Sequence, residues 1–435
     1  MATTHVDRLP EELLLQTFAY LERPAPSRLN ARKEPSLDIT NSDDRDYKNA
    51  SCLFQQAALA GNSASKDDES IASSYGRESV KVALHWYHCV KDYLEFVEAH
   101  ALETCVQSFT LITECCGISP DRYPHRLAAD HDYRYRAAAA LWQHLLQTIA
   151  PVRILIAASP QDLGCLTSCA IDMNGHWAFS DMNYHLLELS HDASPPRRLD
   201  PIPIDFETLE SVPTEYLGIA HASLLSLHPW TAISLNEGSF LEAHGTYAYF
   251  ATGPPSIVAS IKGCLSTSAR RYAGPQHPPK LPALKKFVYT AILPFATHVN
   301  FNSLLPLLDE LDVKLAPDPD SGILSDSRRV GQAELEGKYC CDPISQAGCI
   351  DDWCADCWEE FFTSYQVISW PLRTHKLTSS SALPLKKFTC RDYQHPALVD
   401  ALDETFLMPR WAEMRPGEFE RQAEVPGYAQ APSDF

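Results

Sequence analysis

Five cysteines crowd one short stretch, Cys340, Cys341, Cys349, Cys354 and Cys357, the last two in a C-x-x-C spacing. Four thiolates arranged tetrahedrally would hold zinc. A zinc framework, however, uses two spaced C-x-x-C pairs, and the second pair here is adjacent, Cys340-Cys341, which grips a single ion poorly. The spacing favours buried or loop thiols, and a zinc-binding regulatory module on residues 340–357 is the competing reading. A redox role for the C-x-x-C lacks a thioredoxin-like setting. His85 and His88 stand at i and i+3 beside Cys89, but no third ligand is fixed near them. A packed or solvated pair is expected, so no metal site is assigned. The doublets Asp351-Asp352 and Glu359-Glu360 could be imagined as acid–base pairs, yet such doublets are usually solvated helix surface. The sequence contains neither a phosphate-cradling G-x-x-x-x-G-K-[ST] loop nor a G-x-S-x-G nucleophile elbow. Asp320-Ser321-Gly322-Ile323-Leu324-Ser325 has the D-S-G-x-x-S wording of a phosphodegron, and a Pro/Asp/Gly turn after a strand is its plainer reading.

The elements that would carry these residues alternate. Val82, Trp86, Cys89, Val90, Tyr93, Leu94 and Val97 recur at helical spacing, and Val106 to Thr113 follows as a strand. Residues 135–150 form a helix stopped by Pro151, and Val152 to Ala157 is an apolar run fit for a buried strand. Trp358, Phe361, Phe362 and Tyr365 line one face of a further helix beginning near Trp353. Such alternation predicts parallel strands joined by helical crossovers. An internal echo reinforces it: Leu284-Lys285-Lys286-Phe287-Val288-Tyr289 returns as Leu385-Lys386-Lys387-Phe388-Thr389-Cys390. Leu308-Asp309-Glu310-Leu311-Asp312-Val313 has the same apolar spacing, and its start falls inside the period of leucine-rich repeats. Ordinary strands of one α/β domain are the alternative.

The N-terminus holds the most distinctive wording, Leu9-Pro10-Glu11-Glu12-Leu13-Leu14 continuing to Phe18 and Leu21. Pro10 suits the first helical position, where its missing N–H goes unneeded. Glu11 and Glu12 then meet the positive end of the helix dipole. Leu14, Phe18 and Leu21 share a face, and Pro24 and Pro26 end the helix. A helix this short is marginal alone in water, so its apolar stripe needs a partner, either its own domain or another chain. Residues 28–47 are polar loop, residues 48–60 resume an apolar helical pattern, and residues 61–78, rich in Ser, Asp and Gly, have almost nothing to bury.

Together with the 304–322 stretch, the Lys386 to Tyr393 segment and Trp411-Ala412-Glu413, this N-terminus resembles a group of fungal F-box proteins. The resemblance implies an α/β chain: an N-terminal helical F-box (1–60), a flexible linker (61–80), an irregular leucine-rich-repeat-like α/β region (81–425) and a short tail (426–435). It implies a substrate-recognition subunit, not an enzyme, docking on a Skp-type adaptor of a cullin–RING ubiquitin ligase and holding an unidentified protein target. The adaptor-binding residues it implies are Leu9, Pro10, Leu13, Leu14, Phe18 and Leu21, with Cys52 and Leu53 from the later helix. No cofactor is needed, because such a receptor works by raising the local concentration of target lysines. A stand-alone scaffold with the same helix packed internally is the other-class alternative.

Composition narrows the setting. The chain of 435 residues carries a formal charge of −20, which disfavours both nucleic-acid backbones and anionic membranes. No basic segment leading into an apolar run opens the sequence, and no stretch is long and apolar enough to span a bilayer. Fourteen cysteines without such a leader suit free thiols in a reducing compartment, so a cytoplasmic or nuclear location is expected.

Overall fold

A computed structural model describes residues 90–113, 128–169, 171, 179, 185–191, 223–244, 253–263, 281, 283–326, 330, 352–374, 384–408 and 410–422. The helices, in chain order, are α1 (90–99), α2 (Ala128–Thr148), α3 (Pro160–Thr167), α4 (Leu224–Leu227), α5 (Leu241–His244), α6 (Val258–Lys262), α7 (Asp352–Thr374) and α8 (Val399–Thr405). The strands are β1 (Ser108–Ile112), β2 (Arg153–Ala158), β3 (His185–Ser190), β4 (Ala232–Ser239), β5 (Lys286–Ile292), β6 (Glu310–Lys314), β7 (Lys387–Cys390), β8 (Trp411–Arg415) and β9 (Glu418–Arg421). They form one sheet of nine strands, ordered β1-β2-β3-β4-β5-β6-β7-β9-β8.

Strands pair in chain order as far as β7, the arrangement expected when each crossover lays the next strand beside the last. Two strands run against the rest. β3 is antiparallel to both β2 and β4, and β9 is antiparallel to β7 and β8. The expected all-parallel pairing is therefore corrected to a mixed sheet. For β9 the reason is local: Pro416-Gly417 makes a tight hairpin, with Gly417 at φ +76°. A side chain there would stand 2.4 Å from the Cys390 carbonyl oxygen, so only glycine lets the hairpin close on β7.

The three echoed segments occupy neighbouring strands in register. Phe287 pairs with Leu311 and Leu311 with Phe388; Tyr289, Val313 and Cys390 align in the same way. The first row continues across the sheet as Phe109, Ile154, Leu189, Ile233, Phe287, Leu311, Phe388 and Phe419. All eight are buried in one apolar core with Trp142, Leu145, Phe361 and Tyr365 from the covering helices. The strand starts repeat too. One carbonyl accepts two successive N–H groups of the next strand at Gln107 (from Val152 and Arg153), Thr231 (from Lys285 and Lys286), Lys285 (from Asp309 and Glu310) and Asp309 (from Lys386 and Lys387). A period-2 alternation placed at matching offsets forces this, since a slip of one residue would turn every apolar side chain to the other face.

The helices pack on the apolar face. α2 lies against α3, and Trp142 Nε1 donates to the Leu166 carbonyl at 2.6 Å. α2 begins at Ala128, a full turn and more before the expected Tyr135. α7 runs past the expected aromatic stripe to Thr374 and contains Pro371. Its last turn holds because Leu372 is buried and its carbonyl accepts the Trp411 indole N–H at 3.4 Å.

Candidate functional site

The opposite face of the sheet is polar. Between the apolar rows runs the row Thr110, Leu155, Glu188, Ser234, Val288, Asp312, Thr389 and Glu418, and beside it Ser108, Arg153, Ser190, Ala232, Lys286, Glu310, Lys387 and Glu420. Leu155, Val288 and Arg153 are buried among these neighbours, whereas Ser108, Thr110 and Glu420 are exposed and the rest half-exposed. Charges on this face are tied across strands. The Arg153 guanidinium donates to Glu188 at 2.9 Å and to Ser108 at 3.3 Å. Arg391 donates to Asp312 at 2.7 Å and to Thr290 at 2.9 Å, and Lys286 meets Glu310 at 2.8 Å. A face of this kind, stiffened by its backbone ladder and studded with varied polar groups, is suited to holding another polypeptide.

A second feature lies at the carboxyl ends of β4 and β5, beneath the apolar face. Glu237 is fully buried, and its carboxylate accepts from Tyr289 Oη at 2.5 Å, from His298 Nε2 at 2.8 Å and from the Ser256 hydroxyl. Its place follows from strand parity, since Ile233, Leu235 and Glu237 point to the same side. Burial opposes its charge, but His298, His185 and the Ser256 hydroxyl hold its carboxyl down at about 2. The same charge, added to burial, keeps Tyr289 protonated as a donor. His185 Nδ1 stands 3.8 Å from Glu237, and burial lowers this imidazole to about 4, so it is neutral. Lys262 closes the group from α6, donating to the His298 carbonyl at 2.8 Å; burial lowers its ammonium to about 8, against the pull of Glu237.

This cluster is a structural hub. Three of the roughly four acceptor sites of the Glu237 carboxylate are taken, so it has little left to act as a base. Ser256 donates to Glu237, whose carboxyl is held at about 2 and is therefore a weak base for activating the hydroxyl. The hub joins β3, β4, β5, the segment before α6 and the loop after β5. A smaller hub ties β6 to β7: Asp392 accepts from the Leu315 N–H at 2.6 Å and from Tyr365 Oη at 2.8 Å. Burial lifts the Asp392 carboxyl to about 6 although these donors favour its charge.

Of the residues singled out from sequence, Leu9, Pro10, Leu13, Leu14, Phe18, Leu21, Cys52 and Leu53 lie outside the described residues, as do His85, His88, Cys89, Cys340, Cys341 and Cys349. Cys357 is buried in the core on α7, in keeping with a packed thiol. Among the described residues no three His, Cys, Asp or Glu side chains are arranged to hold a metal ion. Glu359 is exposed, whereas Glu360 accepts the Ala296 N–H at 2.8 Å, an anchor between α7 and the loop after β5. Ser321 and Ser325 stand exposed on two 3₁₀ turns after β6, the turn expected there. Sequence reasoning missed Glu237, although an acid on the apolar parity of a strand, followed by Gly238, was a visible signal. Its partners His185, Tyr289, Ser256 and His298 carried none.

Among the described residues no helix is long and apolar enough to cross a membrane. Compared with family models, curated proteins and solved structures, the chain matches none.

Proposed function

We propose that this chain is the substrate-recognition subunit of a Skp–cullin–F-box type ubiquitin ligase, acting in the cytoplasm or nucleus. The Leu9–Leu21 helix lies in an apolar groove of the Skp-type adaptor, aided by Cys52 and Leu53, and the polar face of the sheet receives the protein target. The observation that carries the reading is the in-register stack of echoed strands. It buries Phe287, Leu311 and Phe388 on one side and presents Lys286, Asp312 and Thr389 on the other, the division of labour of a leucine-rich-repeat-like recognition surface. The two buried hubs support it by fixing loops rather than offering a nucleophile. An amphipathic helix seated in a groove is a common mode of recognition and needs no further chemistry.

The test is co-purification of the full chain with a Skp-type adaptor. Leu13→Asp combined with Phe18→Asp places two carboxylates in the apolar contact, each costing several kcal/mol to bury, so retention is expected to fall by ~100-fold or more. Far-ultraviolet circular dichroism of the variant, expected to match wild type, separates loss of the adaptor contact from loss of the fold. Equal retention of adaptor by wild type and variant would overturn the receptor reading and favour the free-standing scaffold.

A further inference from the structure

We propose that Ser321 is a phosphorylation site that redirects Lys314 and recharges the rim of the polar sheet face. The inference stands on geometry at the end of β6 and does not depend on adaptor binding. Lys314, the last residue of β6, sends its ammonium to Asp318 at 2.7 Å; Lys314 is 14% exposed and Asp318 60%. Ser321 is tied to the same residue, its hydroxyl donating to the Asp318 carbonyl at 2.6 Å. Lys314 thus engages the side chain of Asp318 and Ser321 its backbone, so one residue links the two.

Ser321 stands at the surface of a turn that anchors itself inward, its hydroxyl also accepting the Ile323 N–H at 3.4 Å. Ser321 and Ser325 are exposed, and Ile323 and Leu324 between them are buried. Gly322, at φ +65°, supplies the left-handed step that joins the two 3₁₀ turns. Four short backbone bonds hold the segment: Ser321 N–H to Asp318, Gly322 N–H to Pro319, Ser325 N–H to Gly322 and Asp326 N–H to Ile323. Turns of this type are short and weakly bonded, and they open locally at low cost, as entry into a kinase cleft requires. Asp318, Asp320 and Asp326 flank the acceptor, which suits a serine kinase directed by acidic neighbours.

In the transfer, Ser321 Oγ bonds to the terminal phosphorus of a nucleoside triphosphate while the bond from that phosphorus to its bridging oxygen breaks. The nucleoside diphosphate leaves, and the kinase base takes the hydroxyl proton. The product carries about −1.5 to −2 charges beside two aspartates. Lys314 is the cation placed to answer it, and moving from Asp318 to the phosphate would shift charge at the edge of the face assigned to target recognition.

The full-length protein, isolated from eukaryotic cells with phosphatases blocked and separately treated with an acid-directed serine kinase and ATP, is digested and its phosphopeptides sequenced by mass spectrometry. Phosphate on Ser321 is expected in both, with that signal abolished in Ser321→Ala. Phosphorus-31 titration of the modified protein should place the phosphate's second ionisation below its ordinary value of about 6, and Lys314→Gln should return it toward about 6. Phosphorylation of the urea-unfolded chain but not of the folded one would overturn the site. An ionisation indifferent to Lys314→Gln would overturn the capture by Lys314.

Discussion

Glu237→Ala is expected to lower the free energy of unfolding by about 3–5 kcal/mol, the largest loss among single polar substitutions in the sheet. The carboxylate is fully buried, and its removal strands the Tyr289 hydroxyl, the His298 N–H and the Ser256 hydroxyl together. Each stranded donor carries a desolvation penalty of about 1–3 kcal/mol, only part of which local relaxation can recover. Denaturant titration of the two proteins measures the difference. A loss under about 1 kcal/mol, the net worth of one ordinary hydrogen bond, would show that Glu237 is not the hub it is taken to be.

The same groups fix the response to acid. Glu237 titrates at about 2 in the fold against an ordinary 4.5, so its contribution is whole above pH 4.5 and vanishes as pH falls toward 2. His185, His228 and His244 are lowered to about 4 from 6.5, chiefly by burial, so their contributions are whole above pH 6.5 and are lost as pH falls through 4. Asp392, raised from 3.8 to about 6, works in the opposite sense; its contribution is greatest below 3.8 and is lost as pH rises through 6. Three imidazoles outweigh one carboxyl, so the unfolding midpoint should fall steadily from pH 6.5 to 4. In Glu237→Ala that decline should persist while the further loss between pH 4.5 and 2 shrinks. A midpoint that rises over the first interval would contradict the neutral, buried state of these histidines.

The second large effect compares two adjacent residues of one echoed segment. Phe388→Ala should cost about 3–5 kcal/mol, because it empties a fully buried position. Its ring lies 5.1 Å from that of Phe406, at the end of α8, and 5.9 Å from that of Phe419, which cannot follow a shrinking side chain without breaking strand register. Lys387→Ala removes only a half-exposed pair with Glu418 at 3.2 Å, worth less than about 1 kcal/mol. Comparable losses at the two positions would mean that the faces of the sheet have been assigned the wrong way round, and with them the recognition surface.

The polar face, unlike the hub, was partly legible in advance. Lys286, Glu310 and Lys387 sit at one offset of the echoed pattern, and that offset placed them opposite the apolar residues before any pairing was known. Arg391 was not legible as a tie to Asp312 and Thr290, because its partners come from two other strands. Likewise nothing in the wording of α7 announced that Glu360 would hold the loop after β5 while Glu359 faced solvent.

Sequence alone determined which residues turn inward. The apolar spacing of Leu284 to Tyr289, Leu308 to Val313 and Leu385 to Cys390 carried strand and face, and the Trp358 to Tyr365 stripe carried the covering helix. These are local periodicities, set by backbone geometry over a few residues. Only the tertiary structure decided that β3 and β9 reverse, that β6 and β7 become neighbours across a long intervening stretch, and that Glu237 meets His185, Ser256, Tyr289 and His298. Those outcomes depend on which distant groups share a water-free space. The cost of burying a charge is settled by every partner in that space at once, and no single segment encodes it.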